Sequence, residues 1–142
     1  MRREARGERR EGREKARGER RKMAAEIKSY QDLLVWQRSM GLVESIYRIS
    51  DQLPEDERFG LVSQMRRAAV SVPSNIAEGF GRQARGEYRH HLSIARGSLL
   101  ELETHIIVCQ RLRFLKSGTT DPLLSEITEI SKMLATIISR LR

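Results

Sequence analysis

The chain has 142 residues, 39% of them hydrophobic and 32% charged, enough for one domain with a real core. Its 27 Lys/Arg against 19 Asp/Glu give a net charge of +8, and its single cysteine excludes an intramolecular disulfide. No apolar run approaches the roughly 20 residues that span a bilayer, and the basic N-terminus leads into no apolar stretch of the kind a secretory signal needs; a cytoplasmic protein is expected.

Residues 1–26 read as a basic tail and residues 27–142 as the folded domain. Residues 1–28 hold twelve Lys/Arg and six Glu, a net of +6, so the folded part is nearly balanced at +2. Arg-Gly-Glu-Arg occurs at 6–9 and again at 17–20, and between Met1 and Met23 no residue is more apolar than alanine. Such a segment has nothing to bury and is expected to be disordered or weakly helical: its Glu/Arg spacing favours a helix, and Gly7, Gly12 and Gly18 oppose it. Met23 is an alternative start for the domain, and the sequence leaves open whether residues 1–22 are translated.

A first helix is predicted from about Gln31 to Gln52, where Leu34, Leu42, Ile46 and Ile49 recur near helical period. Leu53-Pro54-Glu55-Asp56 ends it. A second runs from about Glu57 to Phe80 and carries Pro73 in its interior. The proline removes one backbone hydrogen bond and crowds the carbonyl of Ala69, so the helix is expected to bend or restart at Val72-Pro73, with Asn75 and Glu78 as a capping box. A long third helix, Arg85 to Leu115, has Tyr88, Leu92, Ala95, Leu99, Leu102, Ile106 and Cys109 stepping by four and three. Residues 117–122 read as a turn. A fourth helix follows to Leu141, with Leu123, Ile127, Ile130 and Leu134 on one face. Four amphipathic helices with short connections predict an all-α, antiparallel up-down-up-down four-helix bundle. Leu33, Trp36 and Val43 on helix one, and Leu124 and Ile138 on helix four, lie off these seams, and such surplus apolar residues predict a subunit contact.

Three segments, Tyr30-Gln31-Asp32-Leu33-Leu34-Val35-Trp36-Gln37, residues 69–82, and Ala95-Arg96-Gly97-Ser98-Leu99-Leu100-Glu101-Leu102-Glu103-Thr104, occur in the order found in one family. Over about residues 27 to 141 the chain resembles the four-helix-bundle proteins of the 23S rRNA intervening sequence, some of which are encoded inside insertions in bacterial ribosomal RNA genes. The resemblance implies a homopentameric ring and no established enzymatic activity. A distant relative of that fold, the accessory protein of diversity-generating retroelements, binds nucleic acid and a reverse transcriptase. Two functions follow as expectations. One is an oligomer that binds structured RNA or DNA by charge and shape; the other is a scaffold or adaptor for a protein partner such as a reverse transcriptase, without direct nucleic-acid binding.

No catalytic centre, cofactor site or metal site is predicted. Gly79-Phe80-Gly81-Arg82 resembles a dinucleotide fingerprint but follows a helix, where the fingerprint needs a strand. Glu87-Tyr88-Arg89-His90 is a single Glu-x-x-His, and di-iron bundles need two with further carboxylates. Cys109 lies on an apolar face and reads as a small buried hydrophobe. Ser71, Asn75, Glu78 and Arg82 form a polar stripe on helix two. Folding helices two and three into a hairpin around residue 84 would set Ser71 near Gly97, Asn75 near Ser93 and Glu78 near His90. Arg96, Ser98 and Glu101 would join the network, with Gly97 allowing close backbone approach. Candidate phosphate contacts are Arg66, Arg67, Arg82, Arg85, Arg89, Arg111, Arg113 and Lys116.

Overall fold

The computed structural model describes residues 2–142, with side chains described for residues 5–17 and 27–142. The chain is all-α: the described residues form five α-helices and two 3-10 turns, and no strand. The helices are α1 (Arg2–Glu26), α2 (Leu34–Ser50), α3 (Leu61–Phe80), α4 (Arg85–Arg111) and α5 (Ser117–Arg140). The tail is thus drawn as one 25-residue helix, α1, in which no described side chain is buried.

A 3-10 turn, Tyr30–Asp32, separates α1 from α2, so the expected first helix begins three residues later than Gln31. The Ser29 hydroxyl accepts from the Gln31 N–H at 3.1 Å, and the Lys28 and Ser29 N–H groups donate to Asp32 Oδ2 at 2.8 and 3.0 Å. Those two backbone donors, Lys28 foremost, hold the Asp32 carboxyl below the usual range. The turn sets the Tyr30 ring edge-on to Trp36, with centroids 5.3 Å apart. Trp36, Leu33, Val43, Leu124 and Ile138 are all partly buried against the core, not the exposed surplus expected of them. Leu34, assigned to the seam, is instead 59% exposed, and Val35 is buried in its place.

The core collects Val35, Leu42 and Ile46 from α2, Met65, Ala69, Val72 and Ile76 from α3, and Ile127, Ile130 and Leu134 from α5. From α4 it takes Leu92, Ala95, Leu99, Leu102, Ile106 and Cys109, all fully buried as the four-and-three spacing predicts. Each large side chain so buried contributes about 1.5–3 kcal/mol. α3 packs on α2 and α4, and α5 packs on α4 and α2. Adjacent helices run antiparallel. Ser71 meets Ser98 while the later Asn75 meets the earlier His91; Gln110 meets Thr120 while Arg85 reaches the Arg140 carbonyl. The end of α3, the start of α4 and the end of α5 therefore share one end of the molecule with the α1–α2 junction.

Four local expectations are corrected. Pro73 lies inside a continuous α3, with no restart. The Asn75 side chain caps nothing; its Nδ2 donates back to the Ser71 carbonyl at 2.8 Å. Residues 117–122 are not a turn but the opening of α5. Burying Thr120 and Leu123 requires helix there, and the bond lost at Pro122 falls on the carbonyl of exposed Gly118, where water can replace it. Finally, α4 stops at Arg111, short of Leu115. Phe114 N–H bonds to the Cys109 carbonyl at 2.9 Å and Arg113 N–H to the Gln110 carbonyl at 3.0 Å. This is a Schellman closure in which Arg113, at φ 63°, stands where glycine is usual.

Candidate functional site

The polar stripe of α3 faces α4, and the two helices build a hydrogen-bonded chain along their seam. Ser71 Oγ and Ser98 Oγ are 2.8 Å apart, and Asn75 Nδ2 also donates to Ser71 Oγ at 3.0 Å. Asn75 Oδ1 lies 3.2 Å from His91 Nδ1, and His91 Nε2 lies 3.9 Å from Glu78 Oε1. Arg82 Nη2 closes the chain on Glu78 Oε1 at 3.1 Å. The structure thus brings together Ser71, Asn75, Glu78, Arg82 and Ser98.

His91 was missed, and the expected neighbours Gly97, Ser93 and His90 are each corrected, to Ser98, His91 and His91. The hairpin does turn near residue 84, but a helix turns by about 100° per residue, so an offset of one or two selects a different side chain. Gly97 is exposed and a Cβ there would meet nothing within 4 Å. The close approach is at Gly79 instead, where a Cβ would lie 2.8 Å from His91 Cβ and 3.2 Å from the Tyr88 carbonyl oxygen. Arg96 is exposed, and Glu101 reaches only His105 Nε2, at 3.8 Å, so neither joins the network. Glu78 is 53% exposed and Arg82 47%, so this ion pair is solvated. His105 is buried with its Nδ1 lacking any partner among the described residues.

The candidate phosphate contacts divide by what already holds them. Arg66 Nε donates to Ser50 Oγ at 2.9 Å, and its Nη2 donates to the Asp51 carboxylate at 2.9 Å and the Tyr47 carbonyl at 3.3 Å. Its guanidinium also sits 4.6 Å from the Tyr47 ring centroid. Arg66 therefore ties off the C-terminus of α2. Arg82 pairs with Glu78, and Arg85 Nη2 donates to the Arg140 carbonyl at 2.9 Å. Arg67, Arg111, Arg113 and Lys116 are exposed and Arg89 half-buried, and none makes an ion pair among the described residues. Arg89 and Arg142 line one shallow depression with His90, at the end of the molecule from which α1 departs.

Elsewhere, one ion pair not anticipated from sequence spans α2 and α5. Arg38 Nε and Nη2 donate to the two Glu126 carboxylate oxygens at 2.8 and 2.7 Å. That hydrogen bonding holds the Glu126 carboxyl below its ordinary value. The expected fate of Cys109 is observed: it is buried, its Sγ 3.8 Å from Met65 Sδ, and burial pushes its thiol up. Among the described residues no three His, Cys, Asp or Glu converge as a metal site, and no helix is long and apolar enough to cross a membrane.

The described residues thus form an all-helical domain with basic side chains at both ends, Arg89 and Arg142 at one and Arg58, Arg66 and Arg67 at the other. The family model of the 23S rRNA-intervening sequence protein matches residues 31–136, and the chain belongs to that family. No curated protein matches it. A solved structure with the same fold comes from Bacteroides thetaiotaomicron, a protein of unknown function from the S23 ribosomal protein family. It is 25% identical, covering 74% of this chain and 98% of its own, with a TM-score of 0.70.

Proposed function

We propose that the chain is a non-enzymatic, cytoplasmic, self-associating protein that binds structured RNA or DNA through charge and shape. In this reading α2–α5 act as an up-down-up-down four-helix bundle, and copies close into a homopentamer. The observation that carries the nucleic-acid reading is the distribution of charge: residues 1–28 hold +6 of the net +8. They join the molecule at the end where Arg89 and Arg142 also lie. Phosphate neutralisation releases counterions, so affinity for a labelled RNA hairpin should fall steeply between 50 and 200 mM salt, and should drop on removal of residues 1–22. Absence of binding by the full chain at low salt would refute this reading.

Self-association is supported by apolar side chains left in water: Leu34 at 59%, Leu100 at 56% and Leu112 at 53% exposure. A closed ring covers the same two surfaces on every copy. Light scattering should return about five chain masses. That surplus also favours the second reading, a scaffold or adaptor for a protein partner, in which binding to RNA is absent while the assembly persists.

A further inference from the structure

A depression of about 630 Å³ lies along the outer face of α3, beside the end of α2. Its rim carries Phe59, 89% exposed, the most exposed large apolar residue among the described residues, and Tyr47, 42% exposed. Both rings have an arginine over them: Arg58 5.6 Å from the Phe59 centroid and Arg66 4.6 Å from that of Tyr47. Arg67 lines the same depression, and no acidic residue does. Arg66 is paired with Asp51, whereas Arg58 and Arg67 make no ion pair among the described residues; the carboxylates of Glu55, Asp56 and Glu57 belong to the adjoining turn and do not line the groove.

Phe59 is not a loose side chain that happens to point outward. Its backbone is fixed by Arg58 N–H to the Glu55 carbonyl and Gly60 N–H to the Glu57 carbonyl, both 3.0 Å, and the Glu57 carboxylate accepts from Leu61 N–H at 3.4 Å. The short turn holds the ring out of the core at the mouth of a cationic groove. An aromatic face offered to solvent, with guanidinium groups within a few ångströms, matches the two recurring needs of an unpaired nucleotide: a platform for the base and cations for the phosphates.

We propose that this groove binds a single-stranded segment of nucleic acid. A base stacks on Phe59, on the face opposite Arg58, and Arg67 contacts a phosphate. The proposal rests on the nucleic-acid reading above and adds to it an unpaired, stacked nucleotide where that reading needs only charge and shape. Charge complementarity selects this occupant over an apolar peptide or a second copy of the chain.

The test uses the full chain, a fluorescently labelled 12-nucleotide oligouridylate and a labelled RNA hairpin, read by anisotropy, with light scattering on every variant. Phe59→Ala should weaken oligouridylate binding about five- to hundredfold, the range for losing one base–aromatic stack. Phe59→Tyr should restore it and Phe59→Leu should not, because leucine keeps apolar bulk without a π face. Arg67→Ala should lower the slope of log affinity against log salt by about 0.7, one single-strand phosphate. Unchanged oligouridylate binding in Phe59→Ala overturns the groove and leaves the charge-and-shape reading standing. A change of assembly mass in Phe59→Ala identifies the face as a subunit contact and also overturns the groove. Failure of the wild-type chain to bind either RNA overturns both.

Discussion

Replacing Gly79 by alanine puts a methyl group into the tightest point between α3 and α4. Its carbon would stand 2.8 Å from His91 Cβ and 3.2 Å from the Tyr88 carbonyl oxygen. Carbon atoms pack best about 3.5–4.0 Å apart, so the helices must separate by nearly 1 Å. Both obstacles are fixed to the α4 backbone, and no rotamer change relieves them. Overpacking of this kind costs about 1–3 kcal/mol, and rigid neighbours place it in the upper half of that range. Alanine recovers up to about 1 kcal/mol of helix propensity, leaving a net loss of about 2 kcal/mol. Gly97→Ala is the control, since a Cβ there meets nothing within 4 Å; it should stabilise by about 0.5–1 kcal/mol. Urea unfolding at fixed protein concentration measures both, and the thermal midpoint of Gly79→Ala should fall by about 4–8 °C. If the two alanines stabilise equally at unchanged m, Gly79 is not a contact glycine and the reasoning fails.

Arg113→Gly should stabilise by about 0.5–1 kcal/mol, because a side chain at φ 63° carries a penalty that glycine lacks; a loss of stability in the same urea assay would contradict that. Glu126→Gln removes a carboxylate whose folded value lies below its ordinary 4.5. The depressed value means the ion pair's stability is present above about 4.5 and is lost as pH falls through the folded value. With both side chains about one-third exposed, the difference between wild type and variant should stay under about 1 kcal/mol at neutral pH and shrink as the carboxylate is protonated in acid. Glu78→Ala should change stability by no more than about 0.5 kcal/mol, as its carboxylate is solvated, whereas Asn75→Ala should cost about 1–2 kcal/mol by leaving Ser71 and His91 short of a partner. Equal losses at 75 and 78 would show the network is not graded by burial.

Much of this arrangement was legible because helix period and burial are the same information. Every α4 position from Leu92 to Cys109 assigned to the seam is fully buried. Legibility ends where one residue of offset matters. Leu33, Leu34 and Val35 are all apolar, and only the 3-10 turn before them decides which faces in. Pairing across the α3–α4 hairpin was placed one or two residues away from His91 and Ser98, since loop length fixes separation along the chain but not the rotation of each helix. Ser117-Gly118-Thr119-Thr120-Asp121-Pro122 has the composition of a turn, and tertiary burial of Thr120 overrides it. Arg38 and Glu126 lie 88 residues apart, and nothing in local pattern joins them. Phe59 carried no periodic signal, because it belongs to no helix.

The seam contacts of α3 and α4 also bear on how the chain reaches this arrangement. Asn75 and His91 are 16 residues apart in sequence, against 88 for Arg38 and Glu126. Closing the shorter loop loses about 1.5 kcal/mol less chain entropy, by the logarithmic dependence on loop length. The α3–α4 hairpin is therefore cheaper to close than the α2–α5 contact, and it contains within itself the small residue, the polar pairs and the apolar ridge that set its register. Because α2 packs on α3 and α5 on α4, an error of register within this hairpin would displace the surfaces that both outer helices meet.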